Sequence, residues 1–276
     1  MKTIRTFGIL AGNGQYPVLL AERFRSLGIS TAIAALRGQT TRSLFPPGSP
    51  FLDVPLGAFE RAANFFRAHD ATNIVFAGGV ERRGALLYMR PDRFGIRMIG
   101  RALFRGDDRL LRTAARCFHD LGIEVTDPSP HIREWFGNTG LLAGPPLSSV
   151  QNKNLSVARR AAILWGARDR GQAAIARCGR VLGRETVLGT DALIAWRGRP
   201  DSVLVKMVKP GQDRRFDLPA VGERTILRAH SKGIVAIGVE AGGVLLLDKA
   251  RVFEACNLSG ISLVGLSPGS PRRSES

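Results

Sequence analysis

The chain is poor in cysteine, histidine, aromatic residues and acid. Its three cysteines, Cys117, Cys178 and Cys256, are an odd number, far apart and without CxxC spacing. That excludes a disulfide frame and a cysteine zinc site, and predicts small buried hydrophobes in a reducing compartment. The four histidines (69, 119, 131, 230) are scattered, and three of them fall near expected helix C-termini, where the helix dipole favours imidazolium. None is assigned catalysis. GxSxG, Walker A, HExxH and Cys/His nucleophile patterns are all missing. Acids are scarce as well: 23 Asp+Glu against 40 Lys+Arg give a net charge of +17 over 276 residues. Such a balance invites polyanions, phosphate esters or anionic lipid. Aromatics are only 7% and the arginines run through both halves, so no nucleic-acid groove is indicated. No apolar run reaches the roughly 18 residues of a membrane span. The N-terminus runs straight into a strand and does not resemble a signal peptide, so the expected location is cytoplasmic, with a basic face able to touch a membrane.

What is present is a core-forming 44% of apolar residues arranged in alternating strands and helices. Thr6–Ala11, Ser30–Leu36, Phe51–Leu56 and Asn73–Ala77 read as strands, with helices over 17–27 and 57–69 between them. The alternation predicts an α/β fold with a parallel sheet. Helices are expected over 91–105 and from Asp107, then a short strand over 122–125. Residues 127–147, rich in Pro and Gly, read as loop. The predicted division is a Rossmann-like domain over 1–130, a linker over 131–147, a mixed α/β catalytic domain over 148–266 and a disordered tail over 267–276. In the second domain a helix is expected at 154–169, a hairpin over 172–187, strands at 203–205, 234–239, 244–247 and 261–264, and helices at 221–231 and 249–257.

Five stretches carry candidate chemistry. Gly12-Asn13-Gly14 follows the first strand, like the start of a dinucleotide fingerprint, but Pro17 replaces the third glycine and no acid ends the second strand. An NAD site is therefore rejected, while a turn offering backbone amides to an anion is kept. Gly78-Gly79 ends the fourth strand, where glycine serves either a turn or a ligand crevice shared with Gly12 and Gly14. Asp107-Asp108 either caps a helix or supplies oxygen ligands of the kind Mg²⁺ prefers. Thr190-Asp191 is an N-cap or a helix start presenting amides to phosphate. Residues 203–222 hold Lys206, Lys209 and Arg215 around the carboxylate of Asp217. Nearby positive charge keeps such an acid ionised. It is either a salt-bridged surface residue or an acid that holds a metal or activates water beside an anionic substrate.

These stretches, taken together, resemble the UDP-2,3-diacylglucosamine pyrophosphatases of the LpxI type, enzymes of lipid A synthesis. The resemblance runs through Gly8–Gly14 with Pro17, Phe76–Val80, Gly106–Arg112, Gly189–Ala192, Lys206–Pro210 and Arg215–Gly222. It implies an N-terminal Rossmann-like domain and a C-terminal α/β domain peculiar to the family. It implies metal-assisted hydrolysis of a pyrophosphate, with Mg²⁺ the expected ion, to UMP and 2,3-diacylglucosamine 1-phosphate. The family's essential aspartate corresponds to Asp217. Asp217, Asp107 and Asp108 are then the metal-ligand candidates. Lys206, Lys209 and Arg215 neutralise the pyrophosphate, and Gly12, Gly14, Gly78, Gly79, Thr190 and Asp191 contact substrate. A lipid-linked substrate further implies peripheral contact with the inner membrane; a homodimer is left open. Two positions depart from the family pattern. Leu188 stands where Glu commonly precedes Gly-Thr-Asp, and Gly79 where Asn commonly follows Ala-Gly. The competing readings are a non-catalytic nucleotide-sugar or anionic-lipid binder and, on net charge alone, a nucleic-acid binder.

Overall fold

The structure is a computed structural model describing residues 6–81, 89–102, 107–216 and 218–269, with backbone alone for 98–102 and 107–109. The chain forms two compact units: Met1–Ile132 with Asp213–Asp217, and Arg133–Gln212 with Leu218–Ser276.

In the first unit, strands β1 (Thr6–Ala11), β2 (Ser30–Leu36), β3 (Phe51–Val54), β4 (Asn73–Ala77) and β5 (Glu124–Val125) form one sheet in the order β3-β2-β1-β4-β5. Every pairing in it is parallel. The order reverses between β1 and β4, and at such a switch point an open α/β sheet leaves a crevice beyond the carboxyl ends of its strands. Helices α1 (Tyr16–Ser26), α2 (Phe59–Ala68), α3 (Arg93–Ala102) and α4 (Asp107–Asp120) follow the sequence expectation closely. Asp92 starts α3. Its Oδ1 accepts from the amides of Phe94 and Gly95, both at 3.0 Å, and its Oδ2 accepts from Glu60 in the first turn of α2 at 2.6 Å. One carboxylate thus fixes the starts of two helices. Phe59, Phe66, Phe76 and Phe118 fill the core between sheet and helices. On Phe24 of α1, Phe7 stacks at 4.8 Å and His131 packs edge-on at 5.4 Å.

In the second unit, six strands take the order β6-β13-β11-β9-β7-β8: β6 (Gly140–Ala143), β7 (Ala173–Arg177), β8 (Arg180–Arg184), β9 (Ser202–Lys206), β11 (Ile234–Glu240) and β13 (Ser262–Leu266). The centre, β9-β11-β13, is parallel, and the outer strands are antiparallel. β10 (Ala220–Gly222) and β12 (Leu245–Leu247) form a separate parallel pair. Side chains alternate between two cores. Leu204, Ala173, Ile175 and Ile237 face one, packed by α6 (Gly189–Arg197), α7 (Glu223–Ser231) and α8 (Lys249–Ser259). Val203, Val205, Ala174, Ala176 and Ala236 face the other, under α5 (Ser149–Gly166). Leu155, Ala158, Ala161 and Ala162 line the buried face of α5, so small residues let the helix sit close on the sheet.

Three expectations are corrected. β6 lies inside the stretch read as linker, because its backbone completes the sheet edge against β13. α5 begins at Ser149, five residues earlier than expected. Ser148 and Gln151 form a reciprocal capping box, with the Gln151 amide donating to Ser148 Oγ and the Ser148 amide to Gln151 Oε1. Cys178 is exposed, in a left-handed turn with Gly179 that closes the β7–β8 hairpin, whereas Cys117 and Cys256 are buried. Burial pushes the Cys256 thiol up to about 11. Among the described residues no helix is long and apolar enough to cross a membrane.

Candidate active site

At the switch point of the first unit, the Gly12 amide donates to Ala77 at 2.8 Å and the Asn13 amide to Gly79 at 2.7 Å. The two glycine loops therefore touch backbone to backbone. A Cβ on Gly12 would collide with the Gly79 carbonyl oxygen, and one on Gly78, which has φ +85°, would collide with the Asn13 carbonyl oxygen. Close approach of the two loops explains these glycines, and two of the amides expected to meet an anion are spent on holding the loops together. Gly14, at φ +89°, faces open space. Gln39, in the loop after β2, joins the group: its Oε1 accepts from Glu81 N at 2.8 Å and from Asn13 Nδ2 at 3.5 Å. Gln39 Nε2 and Thr40 Oγ1 are buried and have no hydrogen-bond partner among the described residues. Buried polar atoms of that kind cost free energy unless a ligand or water meets them. Sequence reasoning missed both, since a Gln-Thr pair in a turn carries no chemical signature.

In the second unit Lys206, Lys209, Thr190 and Asp191 each hold a different partner. Lys206 closes β9 opposite Ala173. The lysine is 8% exposed, and its ammonium donates to the Ala220 carbonyl at 3.0 Å. Next to Ala173, the Gln172 amide donates to Glu185 Oε2 at 2.8 Å, and the Thr190 hydroxyl donates to Glu185 Oε1 at 2.5 Å. Trp165 fixes the same residue by donating its indole N–H to the Glu185 carbonyl at 2.7 Å. Glu185 is buried and was missed. The signal was available: it is one acid directly after a strand, five residues before a hydroxyl that opens a helix. Asp191 is gripped by Arg224, at 3.5 Å, and Arg228 on α7, so it anchors α6 to α7. Lys209 pairs with Asp169 at 3.1 Å. Glu240, at the end of β11, accepts from the Val208 amide at 3.3 Å and steadies the loop that carries Lys209.

Between these lysines and β10 the chain runs through Asp213–Asp217, which belongs to the first unit. Phe216 is buried in that unit's core, 6.1 Å from the Phe76 ring. Arg215 grips Asp213 bidentately, at 2.7 and 3.0 Å, and its guanidinium lies over the Phe216 ring. The Arg215 hydrogen bond holds the Asp213 carboxyl below the usual carboxylate range, against a partial desolvation that pushes the other way. Arg112, Arg116, His119, Glu124, Arg215 and Phe216 line a polar pocket of about 200 Å³. Within it His119 Nδ1 meets Glu124 at 2.5 Å. Asp217 itself lies outside the described residues, as do the side chains of Asp107 and Asp108, whose backbone begins α4. Among the described residues no three His, Cys, Asp or Glu side chains gather closely enough to hold a metal ion.

Comparison with known proteins places both units. Residues 6–135 match the LpxI N-terminal domain and residues 138–264 the LpxI C-terminal domain. The chain belongs to the LpxI family. It is 33% identical, over 96% of its length and 99% of the relative's, to the UDP-2,3-diacylglucosamine pyrophosphatase LpxI of Caulobacter vibrioides. The two LpxI domains coincide with the Rossmann-like sheet and the mixed sheet.

Proposed function

We propose that this protein is a hydrolase that cleaves the pyrophosphate of UDP-2,3-diacylglucosamine, releasing UMP and 2,3-diacylglucosamine 1-phosphate in lipid A synthesis. The observation that carries this reading is the whole-length relationship to a pyrophosphatase of that name. The cations at the end of β9 support it. Lys206, held by the Ala220 carbonyl, is a pre-positioned charge of the sort that stabilises a departing phosphate. Lys209, on the next loop, exchanges Asp169 for substrate oxygen. Arg215 has its own carboxylate partner and contributes by fixing the segment that precedes Asp217. Asp217 orients the attacking water towards the α-phosphorus. The unmet polar atoms of Gln39, which accepts from Asn13, and of Thr40 suit the polar groups of the nucleotide-sugar. Dependence on Mg²⁺ is part of the proposal and rests on Asp217, Asp107 and Asp108. A divalent ion there would supply charge neutralisation at the pyrophosphate. Peripheral association with the inner membrane follows from a substrate that carries two acyl chains.

The test is release of UMP from UDP-2,3-diacylglucosamine dispersed in detergent, by wild type and Asp217→Ala, with Mg²⁺ and with EDTA. Release by wild type with metal alone, lost in the variant, is the expected result. Binding of substrate without turnover under every condition overturns the enzyme reading. It would point to Gly79 and Leu188, where the chain departs from the expected residues.

A further inference from the structure

Helix α6 packs on the sheet through Leu193 and Ile194, which are buried at 4% and 1% exposure. At 100° per residue the opposite face carries Leu188, just before the first turn, then Ala192, Ala195 and Trp196. Globular proteins commonly present charge on such a face. Here Leu188, Ala192 and Ala195 centre the face, with Trp196 at one edge and Asp191 at the other. Leu188 and Trp196 are each 59% exposed, and Val187, beside them in sequence, is 97% exposed. A run of large exposed side chains on one face marks an interaction surface.

The charges around this face choose its occupant. Asp191 is the one acid on α6, and it is neutralised by Arg224 and Arg228 of α7. Arg199, beyond the helix end, donates to the carbonyls of Trp196 and Gly198 at 3.2 and 2.7 Å, which holds a guanidinium at the C-terminal end of the helix. The rim is therefore cationic with no free acid on the helix to balance it. A second copy docked through the same face would set arginine against arginine, an arrangement that like charges oppose. Aliphatic side chains and a tryptophan on a helix rimmed by arginines suit the boundary between lipid headgroups and acyl chains, and anionic headgroups supply the missing charge. We infer that the Leu188–Trp196 face of α6 is the surface by which this protein docks on an anionic bilayer. Thr190 lies in the first turn of the helix, so the docked face borders the polar cluster of Glu185 and Thr190. The inference stands on this surface and goes beyond the activity proposed above; it holds or fails independently of turnover.

The experiment is co-sedimentation of the full-length protein with phosphatidylcholine vesicles, with and without phosphatidylglycerol. Binding is expected only with phosphatidylglycerol and weakens at high salt. Trp196→Ser lowers the partition coefficient about tenfold, through lost burial of one large apolar side chain. Trp196→Phe retains binding but abolishes the blue shift of tryptophan fluorescence on vesicle addition, since Trp135 and Trp165 stay where they were. Unchanged partition of Trp196→Ser overturns the inference and leaves net charge as the cause of binding. So does a concentration-dependent dimer that Trp196→Ser dissolves without any vesicle binding by wild type. Detergent-dispersed substrate reads hydrolysis alone, and there Trp196→Ser matches wild type. Absence of hydrolysis by wild type would sink the activity reading and leave the vesicle result intact.

Discussion

The sheets of the two units end in opposite ways. Beyond β1 and β4 of the first, the junction is uncharged backbone: Gly12 and Asn13 amides on Ala77 and Gly79 carbonyls, packed too tightly for any side chain. Beyond β7, β8 and β9 of the second, the junction is buried charge, with Glu185 held by Gln172 and Thr190, and Lys206 held by Ala220. The first is set by volume and the second by polarity. A junction of the first kind tolerates no added carbon. A junction of the second kind tolerates a carbon more readily than the loss of a hydrogen-bonding atom.

The largest expected effect comes from volume in the first unit. Gly12→Ala forces Gly79 and Gly78 to move, at a cost of about 2–4 kcal/mol. Gly14→Ala, two residues away in open space, costs only about 1 kcal/mol for its positive φ. Urea denaturation of both variants checks the pair, and equal losses would show that the junction is not governed by close approach. In the second unit Thr190→Val keeps the volume and removes the hydroxyl, leaving Glu185 Oε1 short of a donor. The expected loss is about 1–3 kcal/mol. Thr190→Ser restores most of it, and failure of that rescue would return the effect to packing.

The smallest expected effect belongs to the exposed pair Arg215–Asp213. Asp213→Asn costs about 1 kcal/mol at neutral pH, discounted for its contact with solvent. The sign follows from the depressed carboxyl. Its stabilisation is complete above the ordinary carboxylate pKa of about 4 and is lost as pH falls through the lower folded value. The gap between wild type and Asp213→Asn, measured by denaturation at stepped pH, therefore closes below that range. A gap that persists in acid would mean the pair acts through shape and not charge.

Much of this was legible in the chain. Asn73–Ala77 and Ser30–Leu36 are apolar runs between turn signals, and both strands fall where the pattern puts them, because a buried parallel strand needs only apolar side chains and a stop. β6 was not legible. Gly140–Ala143 is too short and too glycine-rich to carry a pattern, and its strand character comes from the edge of β13 that it completes. Ser148 and Gln151 did announce the start of α5, through spacing that a search for apolar periodicity passes over. At the candidate site the residue types of Lys206, Lys209, Thr190 and Asp191 were informative, but their partners were not. Arg224 and Arg228 lie more than thirty positions from Asp191, and nothing local connects them.

The sequence by itself determined the alternation of strands and helices, the glycine stops at the switch point and the family. These depend on local propensity and on motifs a few residues long. Only the tertiary structure decided that the Gly12 and Asn13 amides are spent on the neighbouring loop, that Glu185 is buried between Gln172 and Thr190, and that Asp213–Asp217 belongs with the first unit although both flanking segments belong to the second. The physical reason is that hydrogen bonds and burial are settled between residues distant in the chain, where sequence spacing carries no distance.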